Sequence, residues 1–413
     1  MTVPVGGSPV VGSHVLIVGI NYAPELTGIA PYTTQIAEHL AVDAASVTVV
    51  AGPPSYPAWR VPLDERGWHR VEHRNGVEVH RLWHYVPSRQ GGVRRALYEL
   101  TFGAHVGAFT DRLPTPPGLI IAVVPSLAGA AAAARVAARY HVPLVVHMQD
   151  LMGRAAAQSG MVGGGALAGL TSTLEAWTLR RAARVAIVSE AFRPTLESYG
   201  VAAERIVFLP NWRHIGETHR DRNTVRRELG WAPGVTVALY TGNMGWKQDL
   251  GNVVEAARLS ADRHDLLWVL VGDGSQRMVL EAQATGLPNL RFMPPCSTED
   301  YPDVLAAADV LLLNERASVG EMSLPSKLTS YAAAGRPVVA AVPIDGPTAK
   351  EATRLVGATI VGPGTPLHLL LAVNRKPSAN PRSATDRIKG FERARVSDLL
   401  AAALDDPIPS RGR

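Results

Sequence analysis

Apolar residues along this chain fall into short unbroken runs, and the segments between the runs repeat with a helical period. The runs are "HVLIVGI" from His14, "SVTVVAG" from Ser46, "GVEVHRLWHYVP" from Gly76, Leu119–Val124, "PLVVHMQD" from Pro143, "RVAIVS" from Arg184 and "RIVFLP" from Arg205. Between them, Ile29, Ile36 and Leu40 share one helix face, residues 93–111 carry Leu97, Leu100, Phe102 and Phe109, and Leu127–Tyr140 and 166–183 read as further helices. Continuous apolar runs alternating with helical crossovers predict a parallel sheet covered on both faces.

The pattern stops at "PNWRHIGETHRDRN", which is polar, contains Pro and Gly and has no hydrophobic period. It then restarts with "VTVALY", "LLWVLVG", "LRFM", "VLLLN" and "PVVAAV" as strands. Leu250, Val253, Val254 and Ala257 lie on one helix face, and Ser297 or Thr298 can cap another helix. Residues 375–390 are polar and irregular, and "FERARVSDLLAAAL" reads as a last helix. The expectation is an α/β protein with two Rossmann-like parallel-sheet domains, residues 1–209 and 210–389, and a helix in 390–413 that crosses back to the first. Ligands of such sheets bind at the carboxyl ends of strands, and two facing sheets would hold the ligand in the cleft between them. The loops at 21–28, 147–150, 241–247, 272–274 and 314–327 all follow strands.

Composition narrows the class. At 413 residues there is chain enough for two cores, and 46% hydrophobic with 19% charged residues is ordinary for a globular protein. A net charge of +5 favours an anionic surface without the aromatic-laced basic stripe that nucleic acid would require. One cysteine, Cys296, excludes an internal disulfide and fits a reducing cytoplasm. The first dozen residues read as no signal peptide, and 118–134, broken by Pro125, reads as strand, turn and helix rather than a membrane span.

The chemistry concentrates in 315–340. Pro325 suits the first position of a helix that runs through Leu328 and Tyr331 to Gly335, leaving the N–H groups of Ser326, Lys327 and Leu328 at its positive end. A lysine in that turn opposes the helix dipole, and a bound anion such as phosphate resolves the conflict; a solvated surface lysine is the bland alternative. Gly242, Gly245 and Lys247 lie between a strand and a helix; Gln248 follows the lysine, so this is neither a P-loop nor a dinucleotide fingerprint, and a tight βα turn with a solvated lysine is the bland alternative. Together the two lysines suggest a diphosphate site. Gly272-Asp273-Gly274 reads as a plain turn or a ligand loop. His147 is a strand-end histidine or a substrate contact. Glu315 and Glu321 are solvated loop acids or sugar-hydroxyl acceptors. Gly28 is a helix-entry glycine or a place where substrate meets backbone. Neither a nucleophile elbow nor a two-carboxylate pair can be placed.

The stretches "GINYAPELTGIAPYT", "AGPPSYPAW", "VVHMQD", "FLPNW", "TGNMGWKQDLGNVVEAA", "VGDG" and "LPSKLTSYAAAGRPVV" occur in the order of a known family. Through them the chain resembles the family 4 glycosyltransferases of GT-B fold, in the branch of colanic-acid and exopolysaccharide enzymes. The resemblance implies retaining, metal-independent and cofactor-free hexosyl transfer from a UDP- or GDP-sugar. The implied acceptor is a saccharide or a polyprenyl- or other lipid-linked one, reached in the cytoplasm or at the inner face of the plasma membrane. It assigns His147, Lys247 and Lys327 as catalytic, with Lys247 and Lys327 on the diphosphate and His147 near the transferred sugar. The donor-binding set it implies is Gly28, Gly242, Asn243, Gly245, Gln248, Gly272, Gly274, Glu321, Leu324, Ser326, Leu328 and Ser330. Two departures stand out: the family's pair of glutamates falls near Met322 and at Ser330, and its arginine before Lys247 is missing, with Asn243 in that area. Rival readings are a nucleotide-sugar epimerase or hydrolase, or a non-catalytic homologue. "GGVRRALYELTFGAHVGAF" is an interfacial helix on an anionic membrane or a helix packed on the sheet.

Overall fold

A computed structural model describes residues 12–25, 28–44, 46–56, 58–88, 92–153, 164–319, 325–375 and 393–405. These divide into two compact units, residues 12–210 with 393–405, and residues 211–319 with 325–375.

The first unit is built on β1 (His14–Val18), β2 (Ser46–Ala51), β3 (His69–Arg74), β4 (Val77–Leu82), β5 (Leu119–Val124), β6 (Leu144–Met148), β7 (Arg184–Ile187) and β8 (Ile206–Phe208). Their order is β3-β4-β2-β1-β5-β6-β7-β8, parallel throughout except for the β3–β4 hairpin. β1, β5 and β6 are buried along their whole length, which is why they read as unbroken apolar runs. β3, "HRVEHR", is an edge strand with no buried residue, so it carries no apolar signal and escaped the sequence reading. Its one local mark is Asn75-Gly76, where both residues take positive φ (50° and 82°) in a two-residue hairpin turn.

The helices of this unit are α1 (Ala30–Asp43), α2 (Gly92–Thr110), α3 (Leu127–Tyr140), α4 (Gly164–Arg180) and α5 (Arg193–Ser198). Ser126 caps α3 by accepting from the Gly129 N–H at 3.3 Å, and His141 ends it in the left-handed region. Alanines dominate α3, so α2 approaches it closely. A Cβ on Gly103 of α2 would stand 2.7 Å from the Ala128 Cβ. Gly103 thus costs some helix propensity and gains the α2–α3 contact.

The second unit has β9 (Thr236–Thr241), β10 (Leu266–Val271), β11 (Leu290–Met293), β12 (Val310–Asn314), β13 (Val338–Ala341) and β14 (Thr359–Val361), all parallel, in the order β11-β10-β9-β12-β13-β14. Its helices are α6 (Arg222–Glu228), α7 (Gly251–Arg258), α8 (Arg277–Gln283), α9 (Tyr301–Ala307), α10 (Lys327–Ala334), α11 (Pro347–Val356) and α12 (Pro366–Asn374). Two apolar layers sandwich the sheet, one around Trp231 and Tyr331 and the other around Tyr240 and Trp268. The last helix, α13 (Arg393–Asp405), buries Leu399, Leu400 and Ala403 against β6 and β7 of the first unit.

Candidate functional site

In the second unit the chain leaves the neighbouring strands β9 and β12 in opposite directions, toward β10 and toward β13. Such a switch point opens a crevice at the strand carboxyl ends. The residues that follow β9 and β12 line it.

After β9, the Tyr240 hydroxyl donates to the Asn243 carbonyl at 2.6 Å, and the Gly245 N–H donates to Gln248 Oε1 at 3.1 Å. Trp246–Gln248 make a single 3-10 turn that ends on Asp249 with φ 46°. Asn314, the last residue of β12, holds this turn from below. Its Nδ2 donates to the carbonyls of Gln248 (2.7 Å) and Asp249 (2.9 Å), and its Oδ1 accepts from Asn252 at 2.8 Å. The Arg316 N–H donates to the Lys247 carbonyl at 2.9 Å, while its guanidinium pairs with Asp249 at 2.8 Å and lies over the Trp246 ring. The Lys247 backbone is therefore fixed by residues that belong to the next strand of the switch point.

The glycines here have a packing task. A Cβ on Gly272 would stand 2.0 Å from the Gly242 carbonyl oxygen, and one on Gly274 would stand 2.6 Å from Asn243 Oδ1 and the Met244 carbonyl. Their φ values, +142° and +155°, exclude most side chains as well. They let the loops after β9 and β10 lie against each other. Gly242 leaves room for the Lys327 ammonium, 3.4 Å from where a Cβ would be.

α10 begins two residues later than the sequence suggests, at Lys327 with Ser326 at the N-cap. The Leu328 N–H is taken by the Pro325 carbonyl at 3.0 Å, and its side chain lies in the core. Leu328 thus offers neither a free amide nor a side chain to a ligand, which corrects its place in the donor-binding set. Ser330 is also buried, and it hydrogen-bonds the Tyr301 hydroxyl. Its task is inside the helix packing. Tyr331 rivets α10 to the sheet: its hydroxyl accepts from the Thr241 N–H at 3.0 Å and donates to the Leu312 carbonyl at 3.1 Å.

That rivet sets Lys327 over Tyr240, with Nζ 3.7 Å from the ring centroid. Desolvation pulls its ammonium down to about 7, with the Glu315 charge acting the other way. Glu315 is 6% exposed, so it is not a solvated loop acid. Its Oε1 accepts from Thr348 at 3.2 Å, while Oε2 is buried and has no hydrogen-bond partner among the described residues. Burial pushes the carboxyl up to about 7, against the Thr348 hydrogen bond and the charges of Lys327 and Lys247. Two half-buried lysines thus face the crevice with a buried, easily neutralised carboxyl beside them. That arrangement suits a polyanion.

In the first unit His147 is buried on β6, and Gln149 Nε2 donates to its Nε2 at 3.2 Å. Burial lowers its pKa to about 4, so the ring is neutral. Gly28, at φ 68°, packs on the Tyr56 ring 3.3 Å from where a Cβ would be. Two buried acids organise the loops here. Glu25 accepts from the N–H groups of Ser55 and Tyr56 and from Asn21, each at 2.8 Å. Glu175 accepts from the N–H groups of Met152 (2.8 Å) and Gly153 (3.1 Å). Glu321, Met322 and Leu324 lie outside the described residues.

Residues 27–212 match the glycosyl transferase 4-like domain, and residues 235–375 match the glycosyl transferases group 1. A curated relative from Escherichia coli K12, the putative colanic acid biosynthesis glycosyl transferase WcaI, is 33% identical over 338 residues, 78% of this chain and 81% of that one. The chain belongs to the family 4 glycosyltransferases.

Solved structures agree on the GT-B fold of this glycosyltransferase. Anabaena HepE, in complex with UDP and glucose, superposes with a TM-score of 0.66 at 17% identity, over 95% of this chain and 100% of that one. WaaG, a glycosyltransferase involved in lipopolysaccharide biosynthesis, gives 0.64 at 17% identity, over 95% and 99%. At those identities the likeness is one of fold. Among the described residues of the glycosyltransferase no helix is long and apolar enough to cross a membrane. Sequence reasoning missed Asn314, Arg316, Tyr240 and Tyr331, which position the two lysines. "VLLLN" ending in Asn at a strand terminus was the one available signal, since a buried amide needs partners.

Proposed function

We propose that this chain transfers a hexosyl group, with retention, from a UDP- or GDP-sugar to a saccharide or lipid-linked acceptor in cell-surface polysaccharide assembly. The observation that carries the reading is Lys327, an ammonium held over Tyr240 at a switch point beside the clamped Lys247 turn. A departing nucleoside diphosphate carries its charge on phosphate oxygens. Fixed cations that need not reorganise stabilise it, and neither a metal ion nor a general base is then required. The neutral imidazole of His147 fits a hydrogen-bonding role toward a sugar hydroxyl. The names of the relatives, a colanic acid enzyme and a HepE that binds UDP and glucose, support the donor class. We place the reaction in the cytoplasm, at the inner face of the plasma membrane where a lipid-linked acceptor would lie.

The test is a thermal-shift screen with UDP, GDP, dTDP and their sugars in the presence of EDTA. One nucleotide should raise the melting temperature selectively, with the shift growing as the logarithm of ligand concentration. Lys327→Ala should abolish that shift. An unchanged nucleotide affinity in the variant would overturn the site assignment.

A further inference from the structure

Three aromatic rings and a guanidinium meet at the strand carboxyl ends of the first unit. Tyr56 and Trp59 follow β2, and Arg95 and Tyr98 lie near the start of α2. The Trp59 ring stands 5.4 Å from Tyr98 and 6.2 Å, edge-on, from Tyr56. The Arg95 guanidinium lies over both Trp59 (5.5 Å) and Tyr98 (4.7 Å). Tyr98 is buried and backed by the His84 ring at 4.9 Å, so it is a fixed floor. Trp59 and Tyr56 above it are only half-buried. Trp59 also holds φ at 53°, a left-handed conformation that a bulky side chain keeps only where its surroundings impose it. Loop and helix thus hold an indole in place and leave part of it open.

The polar groups around the indole have donors to spare. Arg95 gives Nη2 to Glu99 at 3.3 Å, and its Nε and Nη1 have no hydrogen-bond partner among the described residues. Glu99 is held from the other side by the Ser126 hydroxyl at 3.1 Å and by the N–H groups of Leu127 and Ala128 at the start of α3. Arg95 is therefore oriented by Glu99 and by two rings, with one edge of its fork unused. Burial pushes the Tyr56 phenol up to about 12, so it keeps its proton. The charged groups that act on Tyr56 and Tyr98 are mixed: Arg95 against Glu25, Glu99 and Asp150. Such a set offers an arriving anion little gain. It suits hydroxyl groups, which both donate and accept.

We infer that Trp59, Tyr56 and Arg95 form a subsite for a neutral pyranose ring of the acceptor. The indole carries the apolar C–H face of the ring, while the Tyr56 hydroxyl and the open N–H groups of Arg95 hydrogen-bond its oxygens. The acceptor role rests on the saccharide-acceptor reading given above. The test keeps the two apart, because it needs neither donor nor turnover.

The experiment follows the indole N–H resonances of the eight tryptophans by NMR in the full chain, without nucleotide. The probes are methyl glycosides of glucose, galactose, mannose, fucose and N-acetylglucosamine, with glucuronic acid and glucose 6-phosphate as anionic counterparts. Trp59→Phe, which keeps a ring, identifies the Trp59 resonance. At least one neutral glycoside should move that resonance saturably. Trp68, Trp83 and Trp246, exposed by 67%, 38% and 44%, should stay in place. Arg95→Ala should weaken the binding about tenfold and Tyr56→Phe about threefold. If Arg95→Ala melts early, Arg95→Lys serves, since it keeps the charge and loses the flat fork. A Trp59 resonance that no neutral glycoside moves overturns the proposal, as does one moved only by the anionic sugars. Equal shifts at all the exposed indoles overturn it too, for they mark stacking without a site. Nucleotide-induced thermal shifts on the same protein report on the donor site alone, so either reading can fail while the other stands.

Discussion

The loops at the strand ends of the two units are held by opposite means. In the first unit, Glu25 and Glu175 are buried carboxyls that consume backbone N–H groups at Ser55, Tyr56, Met152 and Gly153. In the second, the Asn314 amide, the Tyr331 hydroxyl, the Arg316–Asp249 pair and the close packing of Gly272 on Gly242 do most of the holding. A loop pinned by an acid is a poor host for an anion, since its amides are spent. A loop pinned by amides and hydroxyls leaves Lys247 and Lys327 to a ligand. The difference supports the proposal that the second unit recognises the phosphates.

The contrast can be broken most directly at Lys327. Lys327→Ala should weaken nucleotide-diphosphate binding about a hundredfold, near 3 kcal/mol, by loss of a charge-assisted contact. Its thermal stability should hold, because the ammonium is desolvated and removing it relieves that cost. Calorimetric titration and melting curves together check both halves. Glu25→Ala should do the reverse: a loss of about 2–3 kcal/mol in the first unit's urea transition, from unsatisfied Ser55 and Tyr56 amides, with nucleotide affinity unchanged. An affinity that fell with Glu25→Ala would blur the division between the units.

Smaller effects sharpen it. Tyr331→Phe removes the acceptor of the Thr241 N–H and should cost about 1–2 kcal/mol, with a several-fold loss of nucleotide affinity as Lys327 loses its seat. The smallest effect is on pH. Below pH 7 Lys327 is a cation and Glu315 is neutral; above it the ammonium loses its proton and the carboxyl becomes an anion. The first removes an attraction and the second adds a repulsion, so affinity for a nucleotide sugar, which has no phosphate proton to lose in this range, should fall by a few-fold from pH 6 to 8. Glu315→Gln should flatten that profile.

Much of this was legible from local pattern. Buried parallel strands write themselves as apolar runs, and Lys247 and Lys327 stand out because a lysine after a glycine loop or in a first helical turn is a local conflict. What stayed hidden depends on partners far along the chain. Asn314 lies over sixty residues from the turn it clamps, and Tyr331 is ninety from Thr241. Glu315 looked like a loop acid because burial by α11 has no signature in its own neighbourhood. β3 was hidden for the opposite reason: an edge strand exposed on both faces has no pattern to show. Leu328 was misjudged by a single turn, because Pro325 precedes the helix and its carbonyl takes the amide meant for a ligand.

The seat of Lys327 has one further consequence. An amine held near its own midpoint is only partly charged when the crevice is empty, and an arriving dianion draws it fully to the ammonium form while keeping Glu315 protonated. Loading the donor then takes protons from solution near neutral pH, and release of the nucleotide returns them. The heat of binding would therefore carry the signature of whichever buffer gave up the proton.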